Sequence, residues 1–280
     1  MTAPGTLYVV ATPIGNLKDL SPRAQEVLAA VHAILAEDTR RTGQLLAAFG
    51  ITTPVLAFFE HNERELVPKL LSRLRNGESL ALVADAGTPL LCDPGFRLVR
   101  ACRKEGISVA AVPGPSAVVA ALSVAGLPPY PFTFLGFLPQ RQKARRDFLA
   151  RFASLPHTLV MFLTPHRLPQ ELSDCASVLG EEREAVLCAE LSKLFERCVT
   201  GTLGSLAKAP LVQKGEFTLV VGPAPEPPPP QPSPTQAQAL VKRLLGSGMS
   251  LAQARKEAAR QLGVRSKVLY ALLEEAKRER

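Results

Sequence analysis

The sequence contains no tryptophan, and aromatic residues make up only 5% of its 280 residues. Its five cysteines are odd in number and form no CxxC pair, which argues against a disulfide framework and against a structural zinc site. No apolar run approaches the ~20 residues that span a bilayer, and no basic segment precedes an apolar stretch at the N-terminus. We therefore expect a cytoplasmic protein with no export signal and no membrane association.

Common phosphate-binding and hydrolytic signatures are also missing. We find no GxGxxG after the first apolar run, and no GxxxxGK[ST], HExxH or GxSxG. The four histidines, at positions 32, 61, 157 and 166, share no metal-ligand spacing, so no metal site is expected.

The chain instead alternates short apolar runs with helical patterns over residues 1–127. Five such runs begin near Leu7, Ile34, Val55, Leu80 and Val109. Repeated β-then-α units predict an N-terminal α/β domain with a parallel, doubly wound sheet. Residues 128–222 show more strand-like than helical segments, which predicts a second α/β domain with a mixed sheet.

The composition changes after the second predicted domain. Residues 223–234 contain eight prolines, so residues 223–235 are interpreted as a Pro-rich linker. Residues 236–280 show three helical patterns separated by turns that contain glycine. Short helices with short turns predict a C-terminal helical module of the helix-turn-helix type.

Positive charge is concentrated in two clusters, although the formal net charge of the chain is only +8. Residues 236–280 hold ten Lys or Arg against four Glu, and residues 141–151 hold five against one Asp. Two basic clusters on a near-neutral body predict a polyanionic partner. A solvated helix surface remains the alternative interpretation of the C-terminal cluster.

Three loops of Gly, Pro and small polar residues follow apolar runs, at residues 11–16, 85–89 and 113–116. Ligands bind at the carboxyl ends of parallel strands, so these loops should gather at one edge and hold a small molecule through main-chain groups. The last two loops contain no Lys or Arg, which favours a neutral or zwitterionic nucleoside-like ligand. A simple turn is the alternative reading of Pro13 and Gly15.

Charged segments follow other predicted strands. Residues 37–41 (Glu-Asp-Thr-Arg-Arg) and 61–63 (His-Asn-Glu) follow strands of the first domain, with an ion-paired helix N-terminus as the alternative for residues 37–41. Residues 165–167 (Pro-His-Arg) and 190–193 (Glu-Leu-Ser-Lys) follow strands of the second domain, where they would face the first domain across a cleft.

These segments occur in the order that is typical of one family. The motifs are Thr12-Pro13-Ile14-Gly15-Asn16-Leu17, Glu37-Asp38-Thr39-Arg40, His61-Asn62-Glu63, Asp85-Ala86-Gly87-Thr88-Pro89, Asp93-Pro94-Gly95, Pro113-Gly114-Pro115-Ser116, Gly136-Phe137-Leu138-Pro139, Pro165-His166-Arg167 and Lys214-Gly215-Glu216. Over roughly residues 6–222 the chain resembles the ribosomal RNA small-subunit methyltransferase I family, whose fold is similar to that of the tetrapyrrole methylases. The basic tail resembles that family's C-terminal helix-turn-helix extension.

The resemblance implies a two-domain tetrapyrrole-methylase-like fold that binds S-adenosylmethionine in the cleft between the domains. It implies methylation of the ribose 2′-oxygen of a decoding-site cytidine in 16S ribosomal RNA or the small ribosomal subunit, by a homodimer. The cofactor-binding residues implied in this way are Pro13, Gly15, Asp85, Ala86, Gly87, Thr88, Pro89, Ser116, Ala117, Leu163 and Leu191.

A ribose hydroxyl is a poor nucleophile, so its attack on a sulfonium methyl requires a base or a cation and a well-placed acceptor oxygen. We expect Glu190 to serve as the base and Lys193 as the cation that favours the developing alkoxide. Asp38 and Arg40 are the next candidates.

Two positions depart from the family pattern. Phe162-Leu163-Thr164 stands where the family usually has Tyr-Glu-Ser, and Ala189 stands where it usually has Arg. Any role of the missing Glu and Arg is therefore in question for this chain.

Two other functions remain open from the sequence. One is S-adenosylmethionine-dependent methylation of a tetrapyrrole or another small molecule, against which the basic clusters argue. The other is a non-catalytic RNA-binding assembly factor that has lost cofactor binding.

Overall fold

A computed structural model describes residues 4–225 and 232–278 of the chain. The chain separates into two compact units, Met1–Pro225 and Glu226–Arg280. Residues 226–231 of the predicted linker lie outside the described residues, and the division of the chain into residues 1–127, 128–222, 223–235 and 236–280 stays a prediction. No helix within the described ranges is long and apolar enough to cross a membrane.

The first sheet of the larger unit is entirely parallel. Its strands are β1 (Thr6–Val10), β2 (Ala33–Ala36), β3 (Val55–Ala57), β4 (Leu80–Val83) and β5 (Ser108–Val112). They lie in the order β3-β2-β4-β1-β5, so β1 has β4 and β5 as its neighbours. The loops that follow these three strands therefore leave the same edge of the sheet side by side.

Helices cover both faces of this sheet, as predicted. They are α1 (Pro22–Ala30), α2 (Thr39–Ala48), α3 (Glu60–Arg75) and α4 (Phe96–Lys104). The fifth helix, α5 (Ala117–Val124), follows β5 and packs against the second sheet. Leucines of α3 and α4 pack on one face, and apolar residues of α1 and α2 pack on the other. Because both faces are covered, β2 and β4 are buried along their whole length.

Side chains cap the first turns of helices that flank the first sheet, and α1 and α4 are two examples. The Ser21 hydroxyl accepts a hydrogen bond from Ala24 N at 3.1 Å at the start of α1. The buried Glu63 carboxylate accepts from Arg97 N at 2.9 Å and Leu98 N at 3.3 Å at the start of α4. A negative charge suits a helix N-terminus, so Glu63 of the 61–63 segment stabilises α4.

The second sheet is mixed, as predicted. It consists of β6 (Phe132–Phe137), β7 (Thr158–Leu163), β8 (Glu184–Ala189), β9 (Arg197–Thr202) and β10 (Phe217–Val221), in the order β6-β7-β10-β8-β9. Only the β6–β7 pair is parallel. Helices α6 (Gln142–Ala150), α7 (Leu168–Leu179) and α8 (Leu203–Lys208) complete this half.

Helix α5 joins the two sheets through an apolar cluster. Val118 and Ala121 of α5 pack with Val160, Val186 and Val220 of the second sheet. The first loop adds Ile14 to the same cluster. The carboxyl edge of the first sheet is thereby fixed against one face of the second.

Part of the basic segment 141–151 has a structural role, so fewer of its cations are available for the predicted polyanionic partner. Arg145 is buried, with its Nη2 atom 2.6 Å from Asp174 Oδ2 and its Nη1 atom donating to two main-chain carbonyls. Arg146 also pairs with Asp174, at 3.2 Å. Among the other cations of this segment, Arg141 and Lys143 are exposed, and the exposed Arg151 lies over the rings of Phe148 and Phe152.

The smaller unit contains α9 (Pro234–Gly246), α10 (Leu251–Gln261) and α11 (Ser266–Arg278). Its core combines Ala237, Ala254 and Ala258 with leucines, and the small side chains allow close helix packing. The sequence pattern predicts Ser250 and Ser266 as N-caps. Ser250 does cap α10 by accepting from Gln253 N, whereas Ser266 is already the first residue of α11. Three short helices with tight turns confirm the predicted helical module.

Candidate active site

The three small-residue loops are tied together at the carboxyl edge of the first sheet. Thr12 and Gly87 exchange main-chain hydrogen bonds of 2.9 and 3.0 Å, which joins the first loop to the second. The Thr88 hydroxyl donates to Pro115 O at 3.0 Å, which joins the second loop to the third. Gly87 has a φ of +83°, a conformation that favours glycine, so this residue type is required where the loops meet.

A cavity of about 450 Å³ opens beside these loops, between the two sheets of the larger unit. The first half of the unit lines it with Ile14, Arg41, Asp85, Ala86, Gly87, Thr88, Leu91, Cys92, Asp93, Ser116, Ala117 and Val118. The second half lines it with Phe137, Phe162, Leu163, Thr164, Pro165, Gly215, Glu216, Phe217 and Thr218. Main-chain loops thus face an apolar wall across the cavity.

Most of the predicted cofactor-binding residues line this cavity. They are Asp85, Ala86, Gly87, Thr88, Ser116, Ala117 and Leu163. Pro13, Gly15, Pro89 and Leu191 do not line it. Gly15 instead lies against Lys193, and Leu191 is buried in the apolar cluster around α5.

Carboxylates dominate the charge of the cavity. Burial, followed by the charges of Glu37 and Asp85, raises the pKa of Asp93 to about 6. The pKa of Glu37 is raised by burial and by Asp85 and Glu60. The guanidinium of Arg41 lies 3.7 Å from Asp85 and offsets part of this negative charge.

Glu190 and Lys193 form an ion pair next to the cavity wall. Lys193 Nζ lies 2.9 Å from Glu190 Oε1 and 3.3 Å from Oε2 of Glu216, which lines the cavity. Glu190 Oε1 also accepts from Glu216 N at 2.8 Å. Glu190 and Ser192 have φ values of +55° and +66°, so this turn holds non-glycine residues in a strained conformation.

The pair stays ionised at neutral pH. Burial raises the pKa of Glu190, but the hydrogen bond from Lys193 and the main-chain donor of Glu216 outweigh it and lower that pKa. Burial lowers the pKa of Lys193, but Glu190 and Glu216 outweigh it and raise that pKa. A carboxylate with a lowered pKa is a weak base, whereas an ammonium held in place is a strong electrostatic group.

Asp38 and Arg40 lie at the start of α2. Asp38 Oδ1 accepts from Arg40 N at 2.9 Å and Arg41 N at 3.3 Å, which is a helix cap, and its own N–H donates to Asp85 at 3.1 Å. The Arg40 side chain is 90% exposed. Neither residue lines the cavity, so the alternative reading of an ion-paired helix N-terminus describes their contacts.

Four residues that shape the site were given no catalytic or cofactor-binding role from the sequence. Arg41, Asp93 and Phe137 line the cavity, and Glu171 lies behind it. The Glu171 carboxylate is fully buried and accepts from Thr164 N at 2.9 Å and Arg167 Nε at 3.0 Å, which fixes the 164–167 turn. Asp93 and Phe137 belonged to the quoted motifs, but their positions depend on contacts with distant segments.

No group of three or more His, Cys, Asp or Glu side chains is arranged to hold a metal ion in the ranges that the structure describes.

Comparison with known proteins shows similarity to one family over most of the chain. The family model of the tetrapyrrole (corrin/porphyrin) methylases matches residues 6–207. A ribosomal RNA small subunit methyltransferase I from Xylella fastidiosa (strain Temecula1) is 50% identical over 96% of this chain and 99% of its own. The protein of the same name from Pseudomonas aeruginosa is 46% identical over 95% of each chain.

A solved structure shares the fold. The uroporphyrin-III C-methyl transferase from Thermus thermophilus, complexed with S-adenyl homocysteine, superposes with a TM-score of 0.56 at 20% identity. The match covers 78% of this chain and 97% of that one. The tetrapyrrole-methylase-like fold and the resemblance noted in the sequence are confirmed. The chain belongs to the tetrapyrrole methylase family and, within it, to the ribosomal RNA small subunit methyltransferases I.

Proposed function

We propose that the protein transfers the methyl group of S-adenosylmethionine to the ribose 2′-oxygen of a decoding-site cytidine in 16S ribosomal RNA. The observation that carries the proposal is the cavity bounded by three joined main-chain loops, in a chain that is 50% identical to a ribosomal RNA methyltransferase. The exposed cations of residues 141–151 and the basic smaller unit supply the charge to hold an RNA backbone.

The cavity suits S-adenosylmethionine by its charge and by the main-chain loops that line it. The cofactor supplies an electrophilic methyl group on a positively charged sulfur when it is bound. Asp85, Asp93 and Glu216 place carboxylates around the cavity, which favours a cationic ligand and disfavours a phosphate. Thr88 and Ser116 belong to loops whose main chain would orient the amino-acid and nucleoside parts.

Lys193 is proposed to stabilise the alkoxide that forms as the ribose hydroxyl loses its proton. Glu190 and Glu216 hold its ammonium group beside the cavity wall. Two carboxylates are candidates for accepting the proton: Glu190, as expected from the sequence, and Asp93, whose raised pKa lies closer to neutral pH.

Variants separate these roles. Lys193→Ala should lower kcat by about 100-fold if the ammonium stabilises the alkoxide, with the KM for cofactor unchanged. If Asp93 is the base, Asp93→Asn should abolish the acidic limb of the pH–rate profile, and Glu190→Gln should not. Normal rates for both Lys193→Ala and Glu190→Gln would exclude the ion pair from catalysis.

The activity itself is tested with purified small subunits and protein-free 16S ribosomal RNA from cells that lack the protein. We expect labelled methyl groups from S-adenosylmethionine at one cytidine, and none when a fragment carries 2′-deoxycytidine at that position. Transfer to a tetrapyrrole instead would establish the small-molecule alternative. Absence of any heat of cofactor binding in calorimetry would establish the non-catalytic alternative.

The oligomeric state and location are part of the same proposal. The family resemblance supports a cytoplasmic homodimer, which sedimentation equilibrium and cell fractionation test. A monomer at micromolar concentration would contradict the homodimer and leave the activity untouched.

A further inference from the structure

A β-bulge turns the side chain of Phe137 into the cavity wall. In the parallel pair of β6 and β7, Phe134 lies opposite Val160 and Phe137 lies opposite Phe162, so β6 contains one extra residue. Side chains alternate along a regular strand, and residues 134 and 137 would otherwise point to opposite faces. Gly136 absorbs the irregularity with a φ of +69°.

The bulge leaves an aromatic ring that is supported on one side and open on the other. The Phe137 ring centroid lies 5.2 Å from that of Phe162, which in turn lies 5.0 Å from Phe134. Phe137 is nevertheless 54% exposed, and Leu91, which also lines the cavity, is 43% exposed. An apolar surface with this much exposure at a cavity marks a place where a ligand is buried.

The charges around the cavity limit which part of an RNA nucleotide can bind there. Asp85, Asp93 and Glu216 line it, and the guanidinium of Arg41 is engaged with Asp85. A phosphate would be repelled by these carboxylates. A nucleotide therefore has its uncharged base and ribose available for contact with the cavity.

We propose that Phe137 and Leu91 form the platform on which the base of the acceptor nucleotide stacks, an inference that rests on the proposed function. Proteins recognise unpaired RNA bases by stacking them on aromatic side chains. Enzymes that modify a nucleotide within a folded nucleic acid draw it out of its stack. A base held on Phe137 places its attached ribose in the same cavity as the three cofactor loops.

Because the chain has no tryptophan, Phe137→Trp creates a single fluorescent reporter at the platform. Its fluorescence should be quenched by a decoding-site hairpin RNA, and not by the same hairpin with an abasic residue at the acceptor position. The matched control is Phe132→Trp, on the same strand and 43% exposed but outside the cavity lining. Equal quenching by both hairpins would overturn the proposal.

Kinetics give the second readout. Phe137→Ala and Phe137→Leu should raise the KM for the hairpin about 10-fold, leave the KM for S-adenosylmethionine unchanged, and make no difference with the abasic hairpin. Phe132→Ala should match the parent. Methylation with an unchanged KM for the RNA in both Phe137 variants would overturn the platform but not the proposed function. The same holds if the variants change only the oligomeric state seen in sedimentation, which would make this surface a dimer interface. Failure of the parent protein to methylate any small-subunit RNA overturns both.

Discussion

The aliphatic stem of Lys193 lies directly over Gly15, so that a Cβ atom at position 15 would overlap Lys193 Cγ. On the other side of the ion pair, a Cβ atom at Gly215 would overlap the Glu190 carboxylate. Two glycines from separate loops therefore fix the place of the Lys193–Glu190 pair beside the cavity.

Gly15→Ala should displace the Lys193 ammonium while leaving the fold intact. The misplacement should lower kcat by on the order of 10-fold or more, because catalysis by a positioned charge is sensitive to shifts of about 1 Å. The measurement is methyl transfer to small-subunit RNA at saturating cofactor. An unchanged kcat would show that the position of Lys193 does not matter for the reaction.

Gly43→Ala is the matched control for this prediction. A Cβ atom at position 43 meets nothing within 4 Å, and the residue lies inside α2. The variant should keep full activity and gain roughly 0.5–1 kcal/mol of stability, because alanine loses less conformational freedom than glycine in a helix.

Asp93→Asn should stabilise the protein at neutral pH. The pKa of Asp93 is raised to about 6 by burial and by Glu37 and Asp85, so the folded state binds this proton more tightly than the unfolded chain. Stability of the parent therefore falls as pH rises from about 4 to about 6, and asparagine removes that loss. The Tm of the variant should exceed that of the parent at about pH 7, and the difference should disappear near pH 4.

Asp147→Asn, which alters an exposed carboxylate on α6, is the control for that series. A Tm difference for Asp93→Asn that stays constant between about pH 4 and pH 7 would show that the carboxyl is not destabilised by its surroundings.

The sequence predicted the secondary structure best where periodicity is continuous. Uninterrupted apolar or amphipathic patterns predict helices over residues 117–124 and 168–179 and strands over residues 158–163 and 217–221. These are the bounds of α5, α7, β7 and β10. The apolar spacing of residues 66–74 predicts a helix there, but α3 begins earlier, at Glu60. Its first turn consists of polar residues with no apolar periodicity, and it is held by Asn62, which accepts from Phe59 N at 2.8 Å.

The loops of the site were predictable from the β-then-α order, whereas the cavity's remaining wall was not. The position of Phe137 depends on a bulge that no alternation pattern reveals. The raised pKa of Asp93 depends on its burial in the folded protein and on Glu37 and Asp85, which other strands bring to it. Arg145 looked like a surface cation because its partner, Asp174, lies 29 residues further along the chain.

Arg145→Ala should lower the free energy of unfolding without affecting RNA binding. Removal of the buried partner leaves the Asp174 carboxylate with only Arg146, at 3.2 Å, and Gln142 as partners, so the loss should approach the ~3–5 kcal/mol of a broken buried ion pair. Urea unfolding measures this loss. The salt dependence of RNA affinity should stay the same as in the parent.

The exposed neighbours Arg141 and Lys143 provide the contrast. Their joint replacement by alanine should leave urea unfolding within ~0.5 kcal/mol of the parent. It should lower the slope of log affinity against log salt by about 0.7 for each lost phosphate contact. If Arg145→Ala lowered the salt slope of RNA affinity and the double replacement of Arg141 and Lys143 did not, Arg145 would be the RNA-binding residue and the exposed pair would not.

Removal of residues 236–280 should weaken RNA binding and flatten its salt dependence while leaving cofactor affinity intact. This segment carries ten Lys or Arg against four Glu, and the larger unit has hydrophobic clusters that contain no residue of it. Since counterion release scales with the number of phosphates neutralised, several units of salt slope should disappear with it. The RNA-binding expectation is checked by measuring affinity for 16S ribosomal RNA between about 50 and 200 mM salt. Calorimetry with S-adenosylmethionine checks that cofactor affinity is unchanged. A truncated protein with the parent's salt slope would show that the helical module does not hold the RNA backbone.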